Sequence, residues 1–174
     1  LANYLQPSDL QPESQWALLR ESQADALCLP HTGMVSNIDL GDAKDIHPKT
    51  KREVGRRMAA IALNQTYGKH KTAFTAPIYE RYTVEADGIH IHFATPQGSE
   101  PLVIEDNLPG FILAGANRQW HVAKAKVLSG NEVVVSCQGV HFPVAVRYGW
   151  ADNPTCTLRT QSGLHVAPFR TDRW

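Results

Sequence analysis

The chain has 174 residues, of which 43% are hydrophobic and 20% are charged, a composition typical of a globular protein with room for one domain or two small ones. Seventeen basic residues balance 17 acidic ones, so no net field draws the chain to a phosphate backbone, and we expect no nucleic-acid partner. Every uninterrupted apolar stretch is far shorter than the roughly 20 residues that a membrane helix needs, so we expect no membrane partner either.

The cysteines and the first residues of the sequence indicate little about function. Cys28, Cys137 and Cys156 have no C-x-x-C spacing, so we expect neither a zinc site nor a thioredoxin-like redox pair. We expect no cofactor. One disulfide with a thiol left over and three buried thiols are both compatible with this spacing. The first residues have no initiator Met and no signal-peptide pattern, which suggests a processed or truncated product.

Residues 1–70 follow a pattern typical of an α/β protein. Trp16, Leu19 and Leu27 predict a first helix, and the apolar run Met34–Leu40 predicts a buried strand of a parallel sheet. A second helix is expected between Pro48 and Gly68, with its apolar positions at helical spacing, namely Val54, Met58, Ile61 and Ala62.

From about residue 71 the hydrophobic period becomes two. Alternating residues on both sides of Asp87-Gly88 predict a β-hairpin. Further strands are predicted at Leu102–Ile104, Gly110–Ala114, Trp120–Val127, Val133–Ser136 and Val144–Trp150. Residues 71–174 are therefore predicted to form an antiparallel β-sandwich that packs against the first part.

The loop Gly41–His47 is the strongest candidate for chemistry. It would leave the predicted strand at its carboxyl end, where open α/β sheets place reactive groups, and Pro48 would hold His47 extended. A neutral imidazole there can take a proton from a serine, while Asp45 fixes its tautomer. The local alternative is a histidine beside a helix start, with Asp45 stabilising the helix N-terminus.

Four longer stretches carry a family resemblance: SQWALLRESQ, IDLGDAKDIHPKTKREVGRRMA, PVAVRYGWADNP and GLHVAPFRTDRW. Together they resemble the C-terminal half of the sialate O-acetylesterase family, carbohydrate esterases of the SGNH hydrolase superfamily, over nearly the whole chain. The resemblance implies the C-terminal part of an SGNH-type α/β/α core at residues 1–70 and an accessory β-sandwich at residues 71–174. It also implies that His47 is the base of a serine esterase acting on O-acetylated sialic acid or a related acetylated sugar.

The sequence departs from that pattern in two ways. The usual Asp-x-x-His block has Lys44 where its aspartate should be, so Asp45, Asp42 or a backbone carbonyl could orient His47. No Gly-x-Ser elbow is present, and Ser14 and Ser162 are expected to be a helix-start and a turn serine. The chain alone is therefore expected to be inert, and to need a Ser-bearing portion or companion chain. Self-association is the other way to cover exposed strand edges.

The remaining candidates have simpler interpretations. His90 and His92 form a possible metal pair, but a solvated strand face is favoured, and Arg56 and Arg57 are expected on the wet side of their helix. Arg20 and Gln23 are candidates for the active-site side of the first helix. Three tryptophans could stack on sugar rings, but we expect them in the sandwich core or at a domain interface; they are Trp120, Trp150 and Trp174.

A second class of function remains open. The chain could be a non-catalytic carbohydrate-binding or scaffolding module, with the sandwich holding a glycan. Under the family interpretation the compartment is expected to be extracytoplasmic, because acetylated glycans are met there.

Overall fold

Two helices and two four-stranded antiparallel sheets make up the protein, whose computed structural model describes residue 5, residues 7–69 and residues 73–174. The helices are α1 (Gln15–Asp25), which runs into a short 3-10 helix (Ala26–Cys28), and α2 (Lys51–Gln65). The strands are β1 (Ile78–Glu85), β2 (Gly88–Ala94), β3 (Phe111–Gly115), β4 (Trp120–Val122), β5 (Lys124–Ser129), β6 (Glu132–Ser136), β7 (Pro143–Tyr148) and β8 (Phe169–Arg170). Within the described ranges, no helix is both long enough and apolar enough to span a bilayer.

Both predicted helices are confirmed, and local chemistry sets their ends. Ser14 caps α1, since its Oγ accepts a 3.0 Å hydrogen bond from the backbone N–H of Ala17. Beyond α2, Gly68 adopts a φ of +63°, a left-handed conformation that glycine takes without steric cost. Ser14 is thus a helix-start serine, as predicted.

The predicted strand Met34–Leu40 does not form. Residues 34–37 have no regular structure, and the N–H of Leu40 donates to the C=O of Asn37 over 3.0 Å in a turn. A parallel strand needs a neighbouring strand for its backbone hydrogen bonds, and the described part of residues 7–69 contains none. The segment packs on α2 as a loop instead, so closely that a Cβ on Gly33 would lie 2.7 Å from Ile61 Cγ2.

The predicted antiparallel sandwich is confirmed. One sheet has the order β1-β2-β6-β5 and the other β4-β3-β7-β8. The hairpin at Asp87-Gly88 joins β1 to β2, with Glu85 paired to Gly88. Gly88 has a φ of +149°, and a Cβ there would lie 2.4 Å from the carbonyl oxygen of Val135, so the close strand approach requires glycine.

Two strand predictions needed correction. The run Trp120–Val127 is two strands, because Ala123 donates its N–H to Phe111 and the chain then leaves the second sheet for the first. Leu102–Ile104 forms only an isolated bridge between Leu102 and Thr160. The short β8 gave no sequence signal, since two residues cannot display a period.

The hydrophobic core lies between the two sheets. Ile91 and Val133 from the first sheet and Leu113 and Val146 from the second are fully buried there. Tyr148 is buried among them, and its hydroxyl accepts a 3.0 Å hydrogen bond from the N–H of Leu158. Each such side chain contributes about 1.5–3 kcal/mol of transfer free energy, so the sandwich has its own core.

Hydrogen bonds join the N-terminal part to the sandwich, as predicted. Asp152 accepts from Gln11 Nε2 over 2.7 Å and from Ser14 Oγ over 2.6 Å. Arg20 donates to the carbonyl oxygens of Ala151 and Asp152, both over 2.6 Å. The start of α1 is therefore fixed to the loop that follows β7.

Hydrophobic burial is uneven between the two parts. Among the described residues of 7–69, only Ala17 and Ile38 are buried hydrophobic residues. Met58, predicted on the covered face of α2, is 58% exposed. Other exposed large apolar side chains in this part are Leu10, Leu18, Leu19, Leu27, Leu29, Ile46, Leu63 and Tyr67. Leu10 and Leu18 line a cavity beside the second sheet, and we call the other seven residues, Met58 included, the apolar surface.

Candidate functional site

The segment from Asp45 to His47 forms a tight turn ahead of α2. The N–H of His47 donates to Asp45 Oδ1 over 2.8 Å, and His47 Nδ1 lies 3.4 Å from the same oxygen. The hydrogen bond from the His47 N–H lowers the pKa of Asp45, which keeps this carboxylate ionised. The carboxylate of Asp42 instead accepts the N–H of Lys44 over 2.9 Å. Of the two candidate acids, Asp45 is the one that contacts the imidazole.

This acid and histidine pair faces solvent. The side chain of His47 is 82% exposed and that of Asp45 is 43% exposed. The predicted crevice is not there, because the strand that was expected to end at it is a loop. No serine hydroxyl hydrogen-bonds to either ring nitrogen of His47 within the described ranges. A general base must lie about 2.6–3.2 Å from the proton it takes, so the pair is oriented but incomplete.

The two serines weighed from sequence have structural roles. Ser14 Oγ caps α1 and donates to Asp152. Ser162 lies in a turn, where its N–H donates to Glu100 Oε2 over 3.0 Å and its Oγ lies 3.1 Å from the hydroxyl of Thr160. Neither is hydrogen-bonded to a histidine, so neither is placed as an activated nucleophile.

The adjacent arginines Arg56 and Arg57 of α2 differ sharply in exposure. Arg56 is exposed and pairs with Glu53, as a wet helix face predicts. The prediction for Arg57 was wrong: its side chain is 4% exposed and donates to both carboxylate oxygens of Asp39, over 2.8 and 2.6 Å. A third bond runs from Arg57 to the carbonyl oxygen of Ser36 over 2.7 Å. Arg57 therefore holds the loop before the Asp45–His47 turn onto α2.

Arg20 and Gln23, the two candidates on α1, line a cavity of about 530 Å³ together with Met34 and Met58. Arg20 is occupied there by the two carbonyl oxygens that it bonds in the loop after β7. Among the described residues His47 does not line this cavity. Met58 of the apolar surface lines this cavity, so the cavity adjoins that surface.

The structure groups His90 with Glu85 and Asp87, and the possible ligand atoms of these three residues all lie within 4.8 Å of one another, close enough to hold a metal ion. His90 Nδ1 lies 2.8 Å from Glu132 Oε1, and its Nε2 lies 2.9 Å from Asp87 Oδ1. The side chain is buried, so the prediction of a solvated strand face was wrong for His90. Burial lowers the pKa of His90, but the hydrogen bonds to Glu132 and Asp87 outweigh it and the pKa is raised. His92 Nε2 lies 3.3 Å from the hydroxyl of Thr83. His90 is thus the centre of an ion-pair cluster at the hairpin.

His165 is a candidate that the sequence did not single out. It lines a cavity of about 370 Å³, with its Nε2 3.6 Å from Asp39 Oδ2. Burial lowers the pKa of His165, which favours the neutral ring. No spacing in the sequence relates residue 39 to residue 165, so this contact could be found only in three dimensions.

Trp120, Trp150 and Trp174 line a third cavity, of about 680 Å³, between the start of α1 and the second sheet. Arg147 lies between two of the rings, 4.3 Å from the centroid of Trp120 and 5.0 Å from that of Trp150. Trp150 is buried, as expected of a core residue, whereas Trp174 is 43% exposed. The tryptophans therefore form both a buried layer and an open rim.

Comparison with solved structures connects these features to an enzyme class. A carbohydrate acetylesterase from Xanthomonas citri is similar to this chain. Its crystal structure matches with a TM-score of 0.87 and 37% sequence identity, over 100% of this chain and 40% of the acetylesterase. Neither a protein-family model nor a curated protein matches the chain.

The expected likeness to carbohydrate esterases is thereby confirmed at that level. The chain spans 40% of the length of the solved acetylesterase, so the activity of the whole protein is a matter for proposal. The narrower sialate O-acetylesterase family, the SGNH core and the division at residue 70 remain predictions.

Proposed function

We propose that this chain is the base-bearing portion of a carbohydrate acetylesterase, with His47 as the base and Asp45 as the acid that orients it. The observation that carries the proposal is the similarity to a carbohydrate acetylesterase over the full length of the chain. The contact between Asp45 Oδ1 and His47 Nδ1 supports the assignment of roles, since it leaves Nε2 free for proton transfer.

The reaction follows from these two groups and a serine outside the chain. The serine oxygen attacks the acetyl carbonyl while His47 Nε2 takes its proton. The imidazolium, steadied by the ionised Asp45, then gives that proton to the departing sugar oxygen. Water attacks the acetyl-enzyme with His47 again taking the proton, which returns to the serine as acetate leaves. Asp45 stays ionised throughout.

The exposed position of His47 supports a site that is completed from outside these residues. A catalytic serine, its base and the oxyanion donors must share one water-excluding site, and the described residues around His47 do not enclose it. The seven residues of the apolar surface lie in the same part of the chain. We propose that the Ser-bearing portion packs on this surface and encloses His47, and that the chain alone is inert.

The finer assignments belong to the same proposal. The substrate is O-acetylated sialic acid or a related acetylated sugar, met in an extracytoplasmic compartment, and the β-sandwich is accessory to the chemistry. These rest on the family resemblance of the four sequence stretches, whereas the acetyl ester rests on the solved acetylesterase.

A serine-reactive fluorophosphonate tests the proposal. The native protein is captured with an antibody against this chain, labelled, digested and mapped by mass spectrometry. We expect one labelled serine, in a peptide outside these 174 residues, and loss of the label when His47 is replaced by alanine. A label on Ser14 or Ser162, or an undiminished label in His47→Ala, would contradict the proposal.

A further inference from the structure

The cavity of about 680 Å³ beside the second sheet has the composition of a sugar site and takes no part in the proposed chemistry. Its walls come from the start of α1, the β3–β4 turn, β7 and the end of the chain. We call it the tryptophan cavity. Its volume lies within the range of about 300–1,000 Å³ that is usual for small-molecule sites.

The floor of the tryptophan cavity is a closed structural unit. Arg147 donates to both carboxylate oxygens of Asp172, over 2.8 and 2.6 Å, and to the carbonyl oxygen of Pro12 over 2.7 Å. Arg170 is likewise paired with both carboxylate oxygens of Glu21. The guanidinium groups of the floor are therefore neutralised by their carboxylate partners, and they hold the indole rings of the cavity in place.

The rim differs because, among the described residues, no carboxylate pairs with its cation. Arg118 lies over the exposed ring of Trp174, 4.9 Å from its centroid, and has no hydrogen bond or ion pair from its side chain among the described residues. Its backbone φ of +59° is one that non-glycine residues seldom adopt, and the N–H of Arg118 donates to Gly115 to close the turn. The turn thus holds the guanidinium against one face of an indole that is 43% exposed.

One further indole ring and one carboxylate complete the rim. Trp120 lies 6.3 Å from Trp174, centroid to centroid, with 32° between the ring planes. Glu13, which is exposed and lines the cavity from the α1 side, offers carboxylate oxygens to hydroxyl groups. Indole faces pack against the apolar C–H faces of pyranose rings, and a planar guanidinium pairs with a carboxylate through two hydrogen bonds.

We propose that the tryptophan cavity binds a carboxylated sugar of a glycan, with a pyranose ring on Trp174 and the sugar carboxylate on Arg118. Sialic acids and uronic acids both join a carboxylate to a pyranose ring, so both have the chemistry that this site requires. This site acts independently of His47 and is a property of the chain itself, so it can be tested without the Ser-bearing portion.

The test is titration calorimetry on the intact 174-residue chain with two matched ligand pairs. One pair is sialyllactose and lactose, and the other is a glucuronic-acid-substituted xylo-oligosaccharide and its unsubstituted form. We expect the acidic member of one pair to bind with a roughly millimolar or lower dissociation constant and its neutral partner about tenfold more weakly. The pair that shows the difference identifies the sugar acid.

Variants separate this site from incidental binding. Arg118→Ala should reduce the affinity for the acidic ligand to that for the neutral one, and Trp174→Ala should weaken both ligands. Phe142→Ala, at an exposed aromatic residue that does not line the cavity, should leave both affinities unchanged. Absence of binding by every ligand, or acidic-ligand binding unaffected by Arg118→Ala and Trp174→Ala, would overturn the proposal. An unchanged melting temperature for each variant shows that the loss is not unfolding.

Discussion

Removing the guanidinium of Arg147 should be among the most damaging single changes in the sandwich. Its side chain and that of Asp172 are 5% and 0% exposed, and two hydrogen bonds join them. Arg147→Met leaves the Asp172 carboxylate buried without its partner, which costs about 3–5 kcal/mol. For a chain of this length, that loss corresponds to a fall in melting temperature of roughly 6–20 °C.

Urea unfolding followed by tryptophan fluorescence and by far-ultraviolet circular dichroism measures the effect. Arg147→Lys, which keeps the charge and loses the two-pronged geometry, should fall between Met and the unaltered protein. The double variant Arg147→Met, Asp172→Leu should recover much of the loss, because no charge is then left unpaired. Arg56→Met, at an exposed ion pair, should cost less than about 1 kcal/mol. If Arg147→Met cost no more than Arg56→Met, the reasoning would be refuted.

Three further expectations concern pH, thiol reactivity and the loop before α2. Because its carboxylate partners raise the pKa of His90, its contribution to stability is complete below the unfolded value of about 6.5 and is lost as the pH rises through the folded pKa. The stability difference between the protein and His90→Gln should therefore shrink towards alkaline pH; a growing difference would contradict this. Burial raises the pKa of Cys156 to about 12, so at about pH 8 Ellman's reagent should label exposed Cys28 and reach Cys156 only after unfolding. Arg57→Leu should cost about 2–3 kcal/mol and open the Ser36–Asp39 loop to proteinase K, whereas unchanged cleavage would mean that other contacts hold it.

The sequence predicted those elements whose period and turn chemistry are local. The helix from Lys51 and the hairpin at Gly88 each carry their own start, stop or turn signal, and both formed. The strand Met34–Leu40 failed because an apolar run becomes a strand only beside a partner strand, which the run itself does not encode. The break at Ala123 was invisible for a similar reason, since changing sheets leaves the alternation of side chains intact.

In the candidate site, too, local contacts were predicted from the sequence and long-range contacts were not. The contact between Asp45 and His47 spans two residues and was predicted, and the structure places the two groups 3.4 Å apart. The burial of Arg57 is compensated by Asp39, 18 residues away, and His165 contacts the same aspartate across the fold. Long-range partners of this kind decide whether a charged residue is wet or buried, and helix periodicity carries no information on them.

The structure also bears on the cysteines. Cys28, Cys137 and Cys156 are all free thiols, so the alternative with a disulfide does not form. Cys28 is exposed and the other two are partly buried, so the alternative of three buried thiols holds for their free state and not for their burial.

The most direct test of the central claim is acetate release from an acetylated glycan by the native protein that contains this chain. His47→Gln should lower kcat by about 10²–10⁴ with a small change in KM, because general-base catalysis is lost while binding is kept. His31→Gln, at another exposed histidine, is the matched control and should retain full activity. A large fall confined to His47→Gln is the predicted result, and a His47→Gln protein as active as the control would contradict the assignment of His47 as the base.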